Sequence, residues 1–209
     1  MSNSIPGPAY RIHTARLVIR CYNPDDAPLL KAATDASLDH LRSWMPWALH
    51  EPEELQKKMD RLRLFRGKFD LGQDFVYGIF NRDESQVVGG TGLHTQLGEG
   101  VREIGYWIHA DWINQGIATE ASAALTRVAF EIDHVARVEI HCDPANARSA
   151  AVPRKLGYKH EATLRQHTHL PDGKFRDAMI WMLLASEFPD SPSARAEIEA
   201  FDVLGRQIL

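Results

Sequence analysis

Hydrophobic and polar positions follow two different periods along this chain. Apolar side chains recur at helical spacing in two long segments, one after residue 51 and one in which Ile117, Ala121 and Val128 share a face. Elsewhere, short runs rich in β-branched and aromatic residues are bounded by turn residues and predict strands. In chain order the predicted strands cover residues 16–20, 75–80, 86–94, 102–108, 137–142, 158–166 and 175–184.

Start and stop signals place the predicted helices. Asn23 is a good helix-capping residue and precedes a proline suited to a first turn, so a short helix is predicted there. Two longer helices are predicted over 51–69 and from Gly116 onward. A fourth covers about 146–156 and ends at Gly157, because glycine readily adopts the left-handed conformation that closes a helix.

The order of these elements predicts the fold class. Strands joined by turns dominate, whereas the strands at 102–108 and 137–142 are connected by a helix, which indicates a parallel pair. We therefore expect an α+β (α/β) single domain with a central mixed, mostly antiparallel sheet of about seven strands flanked by helices. This domain is placed at residues 14–185, after a loose lead-in at 1–13. The tail at 186–209 is expected to dock loosely, with a weak helical pattern.

Composition narrows the function classes. The 209 residues, of which 44% are hydrophobic, suit one core with room for a ligand cleft. The net charge of −4 argues against nucleic acid or an anionic membrane as a partner. No apolar run approaches the roughly 20 residues that span a bilayer, so a cytoplasmic protein is expected. A monomer and a homodimer are left as alternatives. Cys21 and Cys142 are expected to be reduced, buried thiols, and the ten histidines show no metal-ligand pattern, so no metal is expected.

One segment is suited to binding an anion. A strand ends near Ile108, a polar turn follows, and a helix begins at Gly116. The first amides of a helix lack internal partners and lie at the positive end of its dipole, so they can hold a phosphate without lysines. A glycine at a helix start is explained equally well by packing, and neither a P-loop nor a dinucleotide fingerprint is present. The segment alone therefore leaves anion binding and packing as alternatives.

Two motifs give this segment a more specific interpretation. Gly116 and Ala118 match the pattern [QR]-x-x-G-x-[GA], although Ile113 departs from its first position. Asn146 and Ser149 form an N-x-x-S motif, with Leu-Gly-Tyr seven residues further on. Together with the order of elements, these motifs resemble the GNAT superfamily of N-acetyltransferases. The resemblance implies the GNAT fold, acetyl-CoA (coenzyme A) as the cofactor, and cofactor contacts from Trp107, Ile108, Asn114, Gln115, Gly116, Ile117, Ala118, Thr119, Asn146 and Ser149.

Three further stretches resemble the RimJ/RimL type of this superfamily, which acetylates the N-termini of proteins, notably ribosomal proteins. They are Thr14–Leu17, Trp44–Trp47 and Glu103–Ile108. The resemblance implies an acyltransferase that moves an acetyl group from acetyl-CoA to a primary amine, first of all a protein or peptide N-terminus, directly in a ternary complex. A polyamine, an aminoglycoside or an amino acid is the near alternative as acceptor. A non-catalytic acyl-CoA sensor and a nucleotide-binding protein are the more distant alternatives.

Acetyl transfer needs a base for the amine, a proton donor for the leaving thiolate and a polarised carbonyl. Glu103 resembles the family's general base, and an exposed strand carboxylate is the alternative interpretation. Ser149 and Tyr158 are both candidates to protonate the sulfur, with Ser149 preferred. A first-turn hydroxyl and a packed aromatic are the alternatives for these two. Trp44 and Trp47 either line the acceptor site or belong to the core.

Two local distortions are expected beside these groups. Pro153 lies inside its predicted helix, has no N–H and crowds the carbonyl of Ser149, so we expect a kink. A bulge near Ile108 would free strand amides for the coenzyme and for the thioester oxygen. Asn146 is expected both to cap its helix and to bond the coenzyme.

Overall fold

A nine-stranded sheet forms the centre of the protein in the computed structural model, which describes residues 7–170 and 173–209. The strands are β1 (Arg11–His13), β2 (Leu17–Cys21), β3 (Phe75–Asn81), β4 (Val87–His94), β5 (Val101–Ile108), β6 (Arg137–Cys142), β7 (Lys159–His169), β8 (Phe175–Leu184) and β9 (Glu199–Phe201). Their order across the sheet is β7–β8–β6–β5–β4–β3–β2–β1–β9. Among the described strands, β5 and β6 form a parallel pair and the other neighbours are antiparallel. The mixed, mostly antiparallel sheet is confirmed.

Helices cover both faces of this sheet. Short 3₁₀ turns at Pro24–Asp26, Pro46–His50 and Ala110–Trp112 connect several of the elements. No helix in the described part of the chain is long and apolar enough to cross a membrane. The helices are α1 (Ala27–Asp35), α2 (Leu38–Leu41), α3 (Leu55–Asp70), α4 (Ile117–Glu131) and α5 (Ala147–Lys155).

Two hydrophobic clusters lie on opposite faces of the sheet because successive side chains of a strand point to opposite sides. In β2, Leu17 and Ile19 belong to the larger cluster, which contains the apolar face of α4. Val18, between them, belongs to the smaller cluster with Leu30 of α1 and Leu62 of α3. The α4 side and the α1–α3 side of the sheet are therefore separate packing layers.

The two strands that the sequence did not predict lie together at one edge of the sheet. β1 falls within the expected lead-in and β9 within the expected tail, and they pair with each other. The tail does not dock loosely. Phe188 stacks on Phe130 of α4, with ring centroids 4.8 Å apart, and the buried Ser193 hydroxyl donates to the Leu156 carbonyl. The expectation of seven strands was wrong because both missing strands are only three residues long and carry almost no periodic signal.

A gap opens in the middle of the sheet between β5 and β6. Their parallel pairing covers three positions and ends at Glu103 opposite Glu139, whereas β5 stays paired with β4 as far as Ile108. The β4–β5 register is regular throughout, so the bulge expected near Ile108 was wrong. Strand amides are freed instead by the separation of two parallel strands.

Candidate active site

The gap exposes peptide groups of β5 on one side. The amide of His109 donates to the Val88 carbonyl at 2.9 Å, which sets the alternation of the antiparallel ladder. In such a ladder every second residue of a strand forms backbone hydrogen bonds with a given neighbour. Trp107 therefore bonds to β4 through its backbone, whereas the peptide groups of Tyr106 and Ile108 point away from β4, toward the gap. Consistent with this, His40 of α2 hydrogen-bonds to the Ile108 carbonyl, with Nε2 at 3.0 Å. The available strand amides are therefore those of Tyr106 and Ile108, and Trp107 contributes only its side chain.

The predicted cofactor loop leads from the end of β5 into α4. Asn114 and Gly116 have positive φ angles of 60° and 80°, and both are exposed with Gln115 between them. Gly116 is the N-cap, and α4 begins at Ile117, whose side chain is buried in the core. The amides of residues 117–119 have no carbonyl one turn earlier to bond, so they are suited to an anion. The residues present thus fit the pyrophosphate of a coenzyme.

An ionic network fixes this loop to the start of β2. Arg16 donates from Nη1 to the Gln115 carbonyl at 3.0 Å and from Nε to Glu120 at 2.7 Å. The Thr14 hydroxyl donates to the same Glu120 carboxylate at 2.6 Å. The Thr14–Leu17 motif therefore holds the cofactor loop from a distant part of the sequence, a role that the sequence alone did not indicate.

A cavity of about 680 Å³ lies at the gap and is lined by residues from both faces of the sheet. On the α1–α3 side it is lined by Glu103 and Trp107, which lie on the same face of β5 because they are an even number of residues apart. On the α4–α5 side it includes Tyr106, Asn146 and Ser149. Its volume is in the range of small-molecule sites. Among the described lining residues none belongs to the cofactor loop, which lies on the open surface beyond the cavity.

Glu103 lies in the cavity beside a histidine. Its carboxylate accepts from the Gln96 side chain at 2.8 Å, and Nδ1 of His141 is 3.7 Å from its other oxygen. Nε2 of His141 is 2.7 Å from Glu139. Burial alone would raise the pKa of Glu139, but hydrogen bonds from His141 and Arg137 hold it below its ordinary value. His141 therefore stands between two carboxylates that lie in register on neighbouring strands.

A second histidine flanks Glu103 from β4. His94 pairs directly opposite Glu103, and its Nδ1 is 2.9 Å from Asp74. Burial opposes protonation of this ring, but the hydrogen bond to Asp74 and the charges of Asp74 and Glu103 raise the pKa of His94 above its ordinary value. The sequence did not single out His94 or His141, because neither forms a short motif with Glu103.

Tryptophans form one wall of the cavity. Trp44 and Trp47 are both partly buried and line it, and Trp47 meets Trp107 edge to face with ring centroids 6.0 Å apart. Gly90 permits this arrangement, since a Cβ there would lie 2.4 Å from Nε1 of Trp107. Arg176 of β8 fixes the tryptophan loop from across the cavity: it donates to the carbonyls of Ser43 and Trp44, at 3.2 Å each, and pairs with Asp143 at 2.9 Å.

Ser149 lies at the other side of the gap on the first turn of α5. Its amide donates to the Asn146 side chain at 3.1 Å, which confirms Asn146 as the N-cap. Its hydroxyl lies 3.0 Å from the hydroxyl of Tyr106. Cys142, the last residue of β6, lines the same cavity. Burial raises the pKa of Cys142, so this thiol stays protonated.

Tyr158, the other candidate proton donor, lies outside this arrangement. Its side chain is 4% exposed and its hydroxyl is 2.7 Å from Thr126 inside the core. Tyr158 is absent from the described lining of the cavity. α5 runs without a break from Ala147 to Lys155, so Pro153 does not end the helix, and the kink expected there stays a prediction.

Known proteins resemble this chain in both sequence and fold. The model of the acetyltransferase (GNAT) domain family matches residues 16–159. The [ribosomal protein uS5]-alanine N-acetyltransferase of Escherichia coli is 25% identical over 186 residues, covering 87% of this chain and 94% of that relative. The ribosomal-protein-serine acetyltransferase of the same organism is 28% identical over 134 residues, 63% of this chain and 74% of that relative.

Among solved structures, Mycobacterium smegmatis RimJ in complex with CoA-disulfide has the same fold. The TM-score is 0.77 at 23% identity, over 91% of this chain and 93% of that one. The family model covers more than half of the chain, and it spans both the cofactor loop and the N-x-x-S motif. The chain belongs to the GNAT family and is an acetyl-coenzyme A-dependent N-acetyltransferase.

Proposed function

We propose that the protein acetylates the N-terminal amino group of a protein or peptide, by direct transfer from acetyl-CoA in a ternary complex. One observation carries this proposal: a single cavity reaches both faces of the sheet through the gap between β5 and β6, with Glu103 on one side and Ser149 on the other. A donor and an acceptor that enter from opposite faces would meet in that gap.

Backbone groups would hold the donor. The amides at the start of α4 would bind the pyrophosphate, and the peptide groups of Tyr106 and Ile108 would pair with the pantetheine arm. The side-chain oxygen of Asn146 already accepts from the Ser149 amide, which leaves its –NH₂ group for the same arm. When bound, acetyl-CoA would supply a thioester carbonyl as electrophile and a thiolate as leaving group. The Ser149 hydroxyl would donate to that sulfur as its charge develops.

Acidic and aromatic groups would receive the acceptor. The Glu103 carboxylate would attract the ammonium group and take its proton, directly or through a water. Trp44, Trp47 and Trp107 would contact the residues that follow the amino group, because indole rings provide large contact areas at low entropic cost. Arg176 would hold the loop of Trp44 in place from β8.

Direct transfer is favoured over an acyl-enzyme. The thiol nearest the gap is Cys142, which is buried, and its raised pKa opposes formation of the nucleophilic thiolate. The side-chain partner of the Ser149 hydroxyl is Tyr106, whose raised pKa keeps it protonated, so it is not a base able to activate the serine.

The choice of a protein N-terminus is supported by the names of the relatives. One acetylates an alanine of a ribosomal protein by its name, and a second is named for a serine of a ribosomal protein. Both alanine and serine are small, and the wall formed by Trp44, Trp47 and Trp107 would enclose a small first side chain closely.

Thiol release from acetyl-CoA tests the proposal with a panel of acceptors. The panel holds peptides that begin with alanine or serine, the same peptides with a blocked N-terminus and a free internal lysine, spermidine, and an aminoglycoside. We expect kcat/KM for the free peptides to exceed that for the blocked ones by roughly 100-fold or more. Equal rates on blocked peptides, or faster rates on spermidine or the aminoglycoside, would contradict the proposed acceptor. Loss of release in the Glu103→Gln variant would tie the activity to this cavity.

A further inference from the structure

The hydroxyl of Tyr106 forms hydrogen bonds with two atoms of Ser149. The hydroxyl oxygen lies 3.1 Å from the backbone carbonyl of Ser149 and 3.0 Å from the Ser149 hydroxyl. A carbonyl oxygen can only accept, so the proton of Tyr106 goes to the carbonyl. The Tyr106 oxygen then accepts the proton of the Ser149 hydroxyl. This two-point contact fixes the side-chain rotamer of Ser149 from β5.

Pro153 makes that carbonyl available. In a regular helix the carbonyl of Ser149 would accept from the amide of the residue four positions later, which here is Pro153 and has no N–H. α5 nevertheless continues without a break to Lys155. The Tyr106 hydroxyl therefore takes the place of the missing amide and satisfies a carbonyl that would otherwise lack its helical partner.

The neighbouring groups do not compete for this role. Burial raises the pKa of Tyr106 and of Cys142, so both keep their protons and neither supplies a base to Ser149. The Tyr158 hydroxyl is bonded to Thr126 in the core. Tyr106 also lies in the gap itself, because its peptide group turns toward β6 and its side chain lines the cavity.

We propose that Tyr106 is a positioning residue for Ser149, and that Pro153 enables it by leaving the Ser149 carbonyl free. The inference rests on the proposed role of Ser149 as donor to the leaving sulfur. When the sulfur of coenzyme A lies in the gap, the Ser149 hydroxyl would rotate its proton from Tyr106 to that sulfur. The hydrogen bond from Tyr106 to the Ser149 carbonyl would keep the serine in place.

A double-mutant cycle between Tyr106 and Ser149 tests the inference. Thiol release is measured for wild type, Tyr106→Phe, Ser149→Ala and the double variant, at a saturating concentration of the best acceptor. We expect Tyr106→Phe to lower kcat by roughly 10-fold with an unchanged KM for acetyl-CoA. The variant no longer orients the Ser149 hydroxyl, but it removes no contact with acetyl-CoA. In the Ser149→Ala background the same change should alter kcat by less than about twofold. Tyr10→Phe is the matched control, since its hydroxyl bonds Asp70 outside the cavity.

The Pro153→Ala variant gives an independent readout. Alanine restores an amide that can bond the Ser149 carbonyl and displace Tyr106, so kcat should fall while Tm stays the same or rises. A merely structural role for Pro153 would move kcat and Tm together.

The outcomes separate this inference from the proposed function. An equal loss from Tyr106→Phe with and without Ser149 would overturn the positioning role alone, and so would a loss confined to KM. Full kcat in Ser149→Ala would overturn the role of Ser149 and this inference with it. The choice of acceptor is decided only by the panel, and the cycle can be run with whichever amine is acetylated.

Discussion

The environment of each hydroxyl decides what it can do in this protein. The Tyr158 hydroxyl is enclosed in the core, and its partner Thr126 gives its only proton to the Ser122 carbonyl at 2.7 Å. Thr126 therefore accepts the proton of Tyr158. Burial raises the pKa of Tyr158, so it holds that proton throughout the physiological range. Ser149, by contrast, lies at the gap, where a leaving sulfur can reach it.

The Tyr158→Phe variant separates stability from catalysis. Loss of the Tyr158 hydroxyl leaves the Thr126 oxygen as an unpaired acceptor in the core, so the free energy of unfolding should fall by about 1 kcal/mol. The kcat of thiol release should stay within about twofold of wild type. Chemical denaturation and steady-state kinetics measure the two effects. A fall in kcat as large as that of Ser149→Ala, without loss of stability, would return Tyr158 to the role of proton donor.

At the scale of secondary-structure elements, the cofactor loop depends on a contact with a different strand. The positive φ angles of Asn114 and Gly116 turn the chain into α4, and the bond from Arg16 to the Gln115 carbonyl holds that turn. Glu120 on the first turn of α4 fixes Arg16 in place. The loop is thus pre-organised before the coenzyme binds, which lowers the entropic cost of binding.

The Arg16→Ala variant tests this pre-organisation. The loop loses its hydrogen bond from Arg16, just before β2, and the coenzyme loses a nearby positive charge, so KM for acetyl-CoA should rise by roughly 5-fold with little change in kcat. Arg63→Ala is the matched control, because it removes the same charge from an exposed ion pair with Asp60 on α3. Initial rates across acetyl-CoA concentrations give both constants. Equal KM values in the two variants would show that Arg16 does not order the site.

The elements were predictable where a long run carries one clear period. The strand at 175–184 and the helix that begins after Gly116 were placed within a residue or two, because each is a long run with one regular period. The four-residue α2 was missed, as were the three-residue strands β1 and β9, because three or four residues do not establish a period. The gap was missed for a different reason: β5 and β6 are separated in the sequence by the whole of α4, so no local pattern encodes where their pairing ends.

At the scale of the whole molecule, the fold brings together residues from separate strands. Glu103, Asn146 and Ser149 lie in short motifs and were predictable from them. His94, His141 and Arg176 come from three other strands and reach the same cavity only through the order of the sheet. Their chemistry could not be assigned from the sequence, because each is an isolated residue in a strand with no motif around it.

The sheet order also explains how two substrates can meet. β5 and β6 are neighbours in the middle of the sheet, so a gap between them connects the α1–α3 side with the α4–α5 side. β1 and β9 lie at one end of the sheet, where β9, from the tail, is the edge strand. We therefore expect the donor and the acceptor amine to be bound at once, one at each side of this gap.

The affinity of a bisubstrate conjugate tests that claim most directly. The conjugate joins the sulfur of coenzyme A through an acetyl spacer to the α-nitrogen of a peptide that begins with alanine, and its counterpart is joined to a lysine side chain of the same peptide. Because one molecule would occupy both sides of the gap, the α-linked conjugate should bind roughly 100-fold or more tightly than coenzyme A alone. It should also compete with both substrates, and the lysine-linked conjugate should bind about as coenzyme A does. An α-linked conjugate that binds no more tightly than coenzyme A, or that does not compete with the peptide, would contradict the account.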